Sequence, residues 1–141
     1  MIGVVIGGES HTGKLLRDRK EQKNNIFTVN IPSLAMKDKV VAFGASHGSA
    51  VDKIKQAGVK VGAHGNLPET IAYLECELID TYAIPEGEGT LLYVGKIIHA
   101  HARSDVFYDN SYHFDSNRPE LLTLHHLGGS SFVVPKTVGK D

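Results

Sequence analysis

Two long runs of strand-forming residues, 71–80 and 90–102, are separated only by the turn Pro85-Glu86-Gly87-Glu88-Gly89. In the first run Ala72, Leu74, Cys76 and Leu78 fall on one face, and Glu75 and Glu77 on the other, the period-two signature of a half-buried strand. The second run opens apolar on both faces, as an interior strand does, and Gly95 is placed to relieve a bend. Strands this long joined by so short a turn can pair only as an antiparallel hairpin. This hairpin restricts the chain to β-rich folds and excludes a helical bundle.

The remaining segments extend that reading. Residues 1–7 predict a buried strand bounded by Gly7-Gly8, and residues 11–25 a polar surface helix whose only large apolar residues are Leu15 and Leu16. Residues 26–31 alternate, with Phe27, Val29 and Ile31 opposite Thr28 and Asn30, and Pro32 closes the strand. Ser33 is placed to cap a helix carrying Leu34, Met36, Val40, Val41 and Phe43 that stops near Gly44. Residues 51–57 predict a short helix with Val51 and Ile54 inward, ended by Gly58. The chain closes with a helical or irregular segment at 121–127 and a strand at 130–134. The expectation is one mainly β domain over residues 1–141, a β-barrel with helical insertions.

Composition narrows the function classes. Fifteen basic and sixteen acidic side chains give a net charge of −1, so no overall charge attracts nucleic acid or an anionic membrane. One cysteine permits no intrachain disulfide, which suits a reducing compartment and a cytoplasmic location. Residues 1–7 are too short to span a bilayer and carry no basic leader.

Gly8-Glu9-Ser10-His11-Thr12-Gly13-Lys14 fits the phosphate-loop pattern G-x-x-x-x-G-K between a strand and a helix. The next residue is Leu15, where that motif needs a hydroxyl for magnesium, so nucleotide hydrolysis is disfavoured. Ser10 and Thr12 still stand at a helix start, where free N–H groups and the positive dipole end favour an anion. A hydroxyl there equally serves as a plain helix cap. Among eight histidines, His99 and His101 share one strand face and His125-His126 are adjacent, with His113 and Asp115 as possible further ligands of a metal. Spacing of this kind also arises at ordinary strand ends. Cys76 reads as a small core residue.

Six segments in order resemble the flavin reductase-like family, whose fold is the FMN-binding split barrel. They are Ile6-Gly7-Gly8-Glu9-Ser10-His11-Thr12; Phe27-Thr28-Val29-Asn30-Ile31-Pro32; Ser46-His47-Gly48-Ser49-Ala50-Val51-Asp52-Lys53-Ile54 with Gly58; Leu74-Glu75-Cys76-Glu77-Leu78; Thr90-Leu91-Leu92-Tyr93-Val94-Gly95-Lys96-Ile97; and Leu124-His125-His126-Leu127-Gly128-Gly129 with Phe132. The resemblance implies a homodimer that binds FMN near the subunit interface and passes hydride or electrons from NAD(P)H to a flavin, ferric or protein acceptor, the last a redox partner. It places Ser10, His11 and Thr12 in the turn holding the FMN phosphate, and Ser46 and Lys53 near the phosphate or ribityl chain. No side-chain acid or nucleophile is required, because the flavin carries the chemistry. At the hairpin position where many reductases carry a histidine, this chain has Gly89. Family members carry further strands ahead of the first one here, so the resemblance implies an N-terminally shortened barrel. The alternatives are a degenerate split barrel that has lost flavin and acts by association, and a β domain that binds metal through His99 and His101.

Overall fold

The computed structural model describes residues 1–21, 24–45, 52–85 and 89–136. Its frame is the hairpin of β3 (Ala72–Ala83) and β4 (Thr90–Ala102), paired antiparallel from Ala72–Ala102 to Ala83–Leu91. β1 (Ile2–Gly7) adds to β4 and β2 (Ile26–Ile31) adds to β3, giving an antiparallel sheet of order β1-β4-β3-β2. The β3–β4 register slips at Glu75/Cys76 and at Leu78/Asp80. Such bulges bend and twist a strand pair locally. Gly95 faces Leu78 beside the second slip. It also makes room for a neighbour: a Cβ there would lie 2.7 Å from the Phe27 ring.

Helices and two small hairpins surround this sheet. α1 (His11–Glu21) follows β1, and a 3-10 turn at Leu34–Met36 leads into α2 (Lys37–Ala45). α3 (Lys53–Ala57) is capped by the Asp52 carboxylate on the Lys55 N–H and ended by Gly58 in the left-handed region. After β4 come β5 (Phe107–Tyr108) with β6 (Ser111–Tyr112), then β7 (His125–Gly128) with β8 (Ser131–Val133). Asp109 and Asn110, both at positive φ, make the tight β5–β6 turn.

Several expectations are corrected. β1 is an outer strand, not a buried one: its faces alternate and Val5 is 61% exposed. α1 ends at Glu21, and the Asn25 amide instead ties the start of β2 to Glu77 and to the Leu78 carbonyl. Ser33 makes no side-chain cap, because the Leu34 N–H donates to the Leu122 carbonyl and Ser33 bridges Thr123 through its backbone. The helix it opens runs on to Ala45. Ile54 is exposed, since five residues of α3 bury little, and Val51 lies outside the described residues. The 121–127 segment is a 3-10 turn at Pro119–Leu121 and then strand β7, with no α-helix. Leu121 and Leu122 are buried there, which anchors the chain and leaves it extended beyond them.

Two apolar clusters hold the elements together. Leu16 of α1, Leu78 of β3 and Tyr93 of β4 form the first, with Val4, Ile6, Phe27 and Leu91 around it. Ile71, Val106 and Leu121 form the second, beside Ile31. Tyr93 is fully buried and its hydroxyl donates to the Gly13 carbonyl in the first turn of α1 at 3.2 Å. The segment after β4 is tied by Asp105, which accepts from Arg103 Nε and Nη2 at 2.9 and 2.8 Å and from Arg118 Nη2 at 2.8 Å. Hydrogen bonds from Arg103 and then Arg118 hold its carboxyl far below the ordinary range.

Tyr93→Phe keeps the packing and loses one buried hydrogen bond, so thermal or denaturant unfolding should register a loss of about 1 kcal/mol. Tyr93→Ala should cost roughly 3–5 kcal/mol by opening a cavity. Because the folded-state pKa of Asp105 is depressed, its contribution is present above its unfolded value of about 3.9 and fades as pH falls below it. Asp105→Asn should therefore lower the melting temperature at neutral pH, and the gap to the parent should close in strong acid.

Candidate functional site

The turn between β1 and α1 is built on close backbone approaches. Gly8 donates its N–H to the Gly89 carbonyl at 2.8 Å, joining this turn to the tip of the β3–β4 hairpin. A Cβ on Gly8 would stand 2.8 Å from that same oxygen, and one on Gly13 would stand 2.5 Å from the Gly7 carbonyl. Only glycine lets the first turn of α1 sit down on the end of β1. Gly89 itself has φ +82, so this position of the hairpin favours glycine for backbone reasons.

Ser10 caps α1: its Oγ accepts from the Gly13 N–H at 3.1 Å and its carbonyl accepts from the Lys14 N–H. Thr12 lies in the first turn with its side chain exposed, next to a half-buried His11. Lys14 and Arg17 stand one turn further on, and the Glu9 carboxylate is 3.3 Å from both cations. Hydrogen bonds from Lys14 and then Arg17 hold the Glu9 carboxyl below its usual range. Two hydroxyls, a helix N-terminus and two cations make a donor set that suits a phosphate monoester. Glu9 already sits on those cations as an internal anion. Leu15, at the position where a phosphate loop carries its magnesium ligand, is an exposed apolar side chain.

Lys53 lies elsewhere. Its ammonium donates to the Phe43 carbonyl near the end of α2. α1 starts where Gly7 pairs with Thr90, whereas α2 follows β2 beyond the Ile31–Ala72–Ala102 end of the same sheet. Lys53 and the Ser10–Thr12 turn therefore stand toward opposite ends of the sheet. Ser46 lies outside the described residues. Two hollows lie away from α1. One of about 400 Å³ runs between α2 and the β7–β8 hairpin, and another of about 480 Å³ lies between Tyr108, Tyr112 and Arg118.

The candidate metal-ligand histidines have local partners. His101 pairs across from Tyr73 and stacks on its ring at 5.0 Å, and His99, two residues before it on the same face, packs against that ring at 6.1 Å. His113 stacks on Tyr108 at 3.6 Å and bonds Ser111, while Asp115 accepts from the Asn117 N–H. His125 bonds Thr123, and His126 bonds the Gly129 carbonyl and packs on Phe132. Among the described residues no three His, Cys, Asp or Glu side chains converge on a metal position. Cys76 is fully buried, and burial pushes its thiol pKa up, as for a core residue. The ion pairs of Glu9 and the Arg103–Asp105–Arg118 cluster escape pattern reading, because no sequence period announces them. The Asp109-Asn110 turn between aromatic residues was readable as a hairpin signal.

The family model described as flavin reductase like domain matches residues 1–121. The uncharacterized protein YddH of Escherichia coli is 30% identical over 138 residues, which cover 94% of this chain and 68% of that protein. An uncharacterized protein of Methanothermobacter thermautotrophicus is 29% identical over 123 residues, 81% of this chain and 57% of its own length. The crystal structure of an FMN-binding domain of a flavin reductases-like enzyme from Shewanella baltica superposes with a TM-score of 0.77 at 19% identity, covering 99% of this chain and 73% of that one. The curled antiparallel sheet is thus the split barrel of FMN-binding proteins. With its matched residues running through the α1 turn and the whole β3–β4 hairpin, the chain belongs to the flavin reductase-like domain family.

Proposed function

We propose that this chain binds FMN and passes hydride or electrons from NAD(P)H through it to a flavin, ferric or protein acceptor, as a cytoplasmic homodimer. The observation that carries the reading is the first turn of α1, where Ser10, Thr12, Lys14 and Arg17 gather phosphate-binding chemistry in a chain of this family. When bound, the flavin ring supplies the redox chemistry, and the protein's part is to bind, orient and shield it. The phosphate dianion exchanges places with the Glu9 carboxylate on Lys14 and Arg17. Thr12 adds its hydroxyl, and Ser10 keeps the turn in shape by holding the Gly13 N–H. Lys53 retains two ammonium hydrogens beyond its bond to Phe43; standing beyond the other end of the sheet from α1, it and Ser46 serve the phosphate or ribityl chain in this reading only for a flavin held by the second copy of the dimer. The backbone bond from Gly8 to Gly89 sets the approach to β4 beside the phosphate turn.

Purified protein mixed with FMN and desalted should keep a flavin absorbance spectrum, and NADH or NADPH should bleach it without oxygen. A protein that stays colourless contradicts the reading, and one that is coloured but not bleached is a passive flavin binder. Ser10→Ala should cost about 1 kcal/mol of stability through the lost cap. With Thr12→Ala added, FMN affinity should fall further, and unchanged affinity in a calorimetric titration would show that the turn is only a helix cap.

A further inference from the structure

Glu9 bridges the two cations beside the α1 turn. Its Oε2 lies 3.3 Å from Lys14 Nζ and its Oε1 lies 3.3 Å from Arg17 Nη2, so each carboxylate oxygen serves one cation. The chain thus holds on itself the bridging arrangement that an anionic ligand would adopt on the same two groups. Pairing with Lys14 and then Arg17 holds the Glu9 carboxyl below its usual range, so at neutral pH it is ionised. The Glu9 side chain is 79% exposed, and it can swing into water without uncovering apolar surface. It also precedes the Ser10 cap and lies outside α1, so its departure leaves the helix wound.

An incoming anion must take the place of this one. A carboxylate or a phosphodiester carries one charge and exchanges like for like, while Glu9 is tethered close to both cations and competes at a high effective concentration. A phosphate monoester carries nearly two charges at neutral pH. Its second charge adds attraction to Lys14 and Arg17 beyond what Glu9 gives up. We infer that Glu9 sets a charge threshold at this turn: it yields to a phosphate monoester and keeps its place against phosphodiesters and carboxylates. For a flavin phosphate at the turn this rests on the proposed function, and it adds the class of flavin accepted. That class is a mononucleotide, and not a dinucleotide whose two phosphates each carry a single charge. Exposed ion pairs are individually weak, so the threshold is a bias of several-fold and not an absolute block.

Fluorescence titrations at one ionic strength test this with riboflavin, FMN and the methyl ester of FMN, which differs from FMN by one methyl group and one charge. In the parent, FMN should bind about tenfold more tightly than riboflavin, and the methyl ester should bind like riboflavin. Glu9→Gln keeps the size of the side chain and removes its charge. In that variant the methyl ester should bind about threefold more tightly than riboflavin. A methyl ester that matches FMN in the parent, or that gains nothing over riboflavin in Glu9→Gln, overturns the threshold and leaves the phosphate reading standing. An FMN preference that appears only in Glu9→Gln shows the carboxylate excluding dianions as well, and also overturns the threshold. Equal binding of FMN and riboflavin by both proteins overturns the phosphate reading and the threshold together. Circular dichroism checks that the variant is folded, and should Glu9→Gln fold poorly, Glu9→Ala is read in the same way.

Discussion

Everything else in the molecule is hung on the pairing of β3 with β4. These strands bring the distant ends of the chain into one sheet: β1 adds to β4 and β2 to β3, so the first thirty residues are organised by a hairpin formed forty residues later. Tyr93 turns that pairing into three-dimensional structure. It is fully buried against α1, and its hydroxyl donates a further hydrogen bond to the Gly13 carbonyl in the helix's first turn. A buried aromatic ring supplies area, and its one polar atom supplies direction. The first turn of α1 is therefore held at a defined place and tilt.

That constraint shapes the turn in which the proposed function seats the phosphate. Gly8 and Gly13 allow contacts that a methyl group would forbid, so the helix start, the end of β1 and the hairpin tip share one small volume. The charged groups around it are exposed, and exposed ion pairs contribute little to stability. In the proposed function their value lies in preparing an anion's surroundings. Glu9 pairs with Lys14 and Arg17 beside the turn, and in the proposed function a doubly charged phosphate outcompetes that single carboxylate.

Much of this was legible in the residues. The alternation of β2 and β3, the apolar opening of β4 and the turn between them specify the sheet, since a period of two has one structural reading. The ordered motifs from Ile6 to Phe132 identify the family. Other features were hidden because they depend on which surfaces meet. Ser33 looks like a helix cap until Leu122 takes the Leu34 N–H, and 121–127 looks helical until Leu121 and Leu122 are buried and the chain is drawn into β7. Ser10 supported both a cap and a ligand, and its geometry is that of a cap. Lys53 and Ser10 stand in a common motif order, yet Lys53 bonds Phe43 beyond the other end of the sheet. Linear order says which residues belong to a family site, not which copy or which end of the sheet presents them.

The central claim is that the α1 turn recognises the phosphate of a flavin mononucleotide. Parallel titrations with FMN and with riboflavin, followed by flavin fluorescence, isolate that group, because the two ligands differ only by the phosphate. The account predicts FMN binding tighter by at least tenfold, equivalent to about 1.4 kcal/mol, with the advantage shrinking as salt is raised. Equal affinity for the two flavins, or an FMN preference that survives replacement of Lys14 and Arg17 by alanine together, would contradict it.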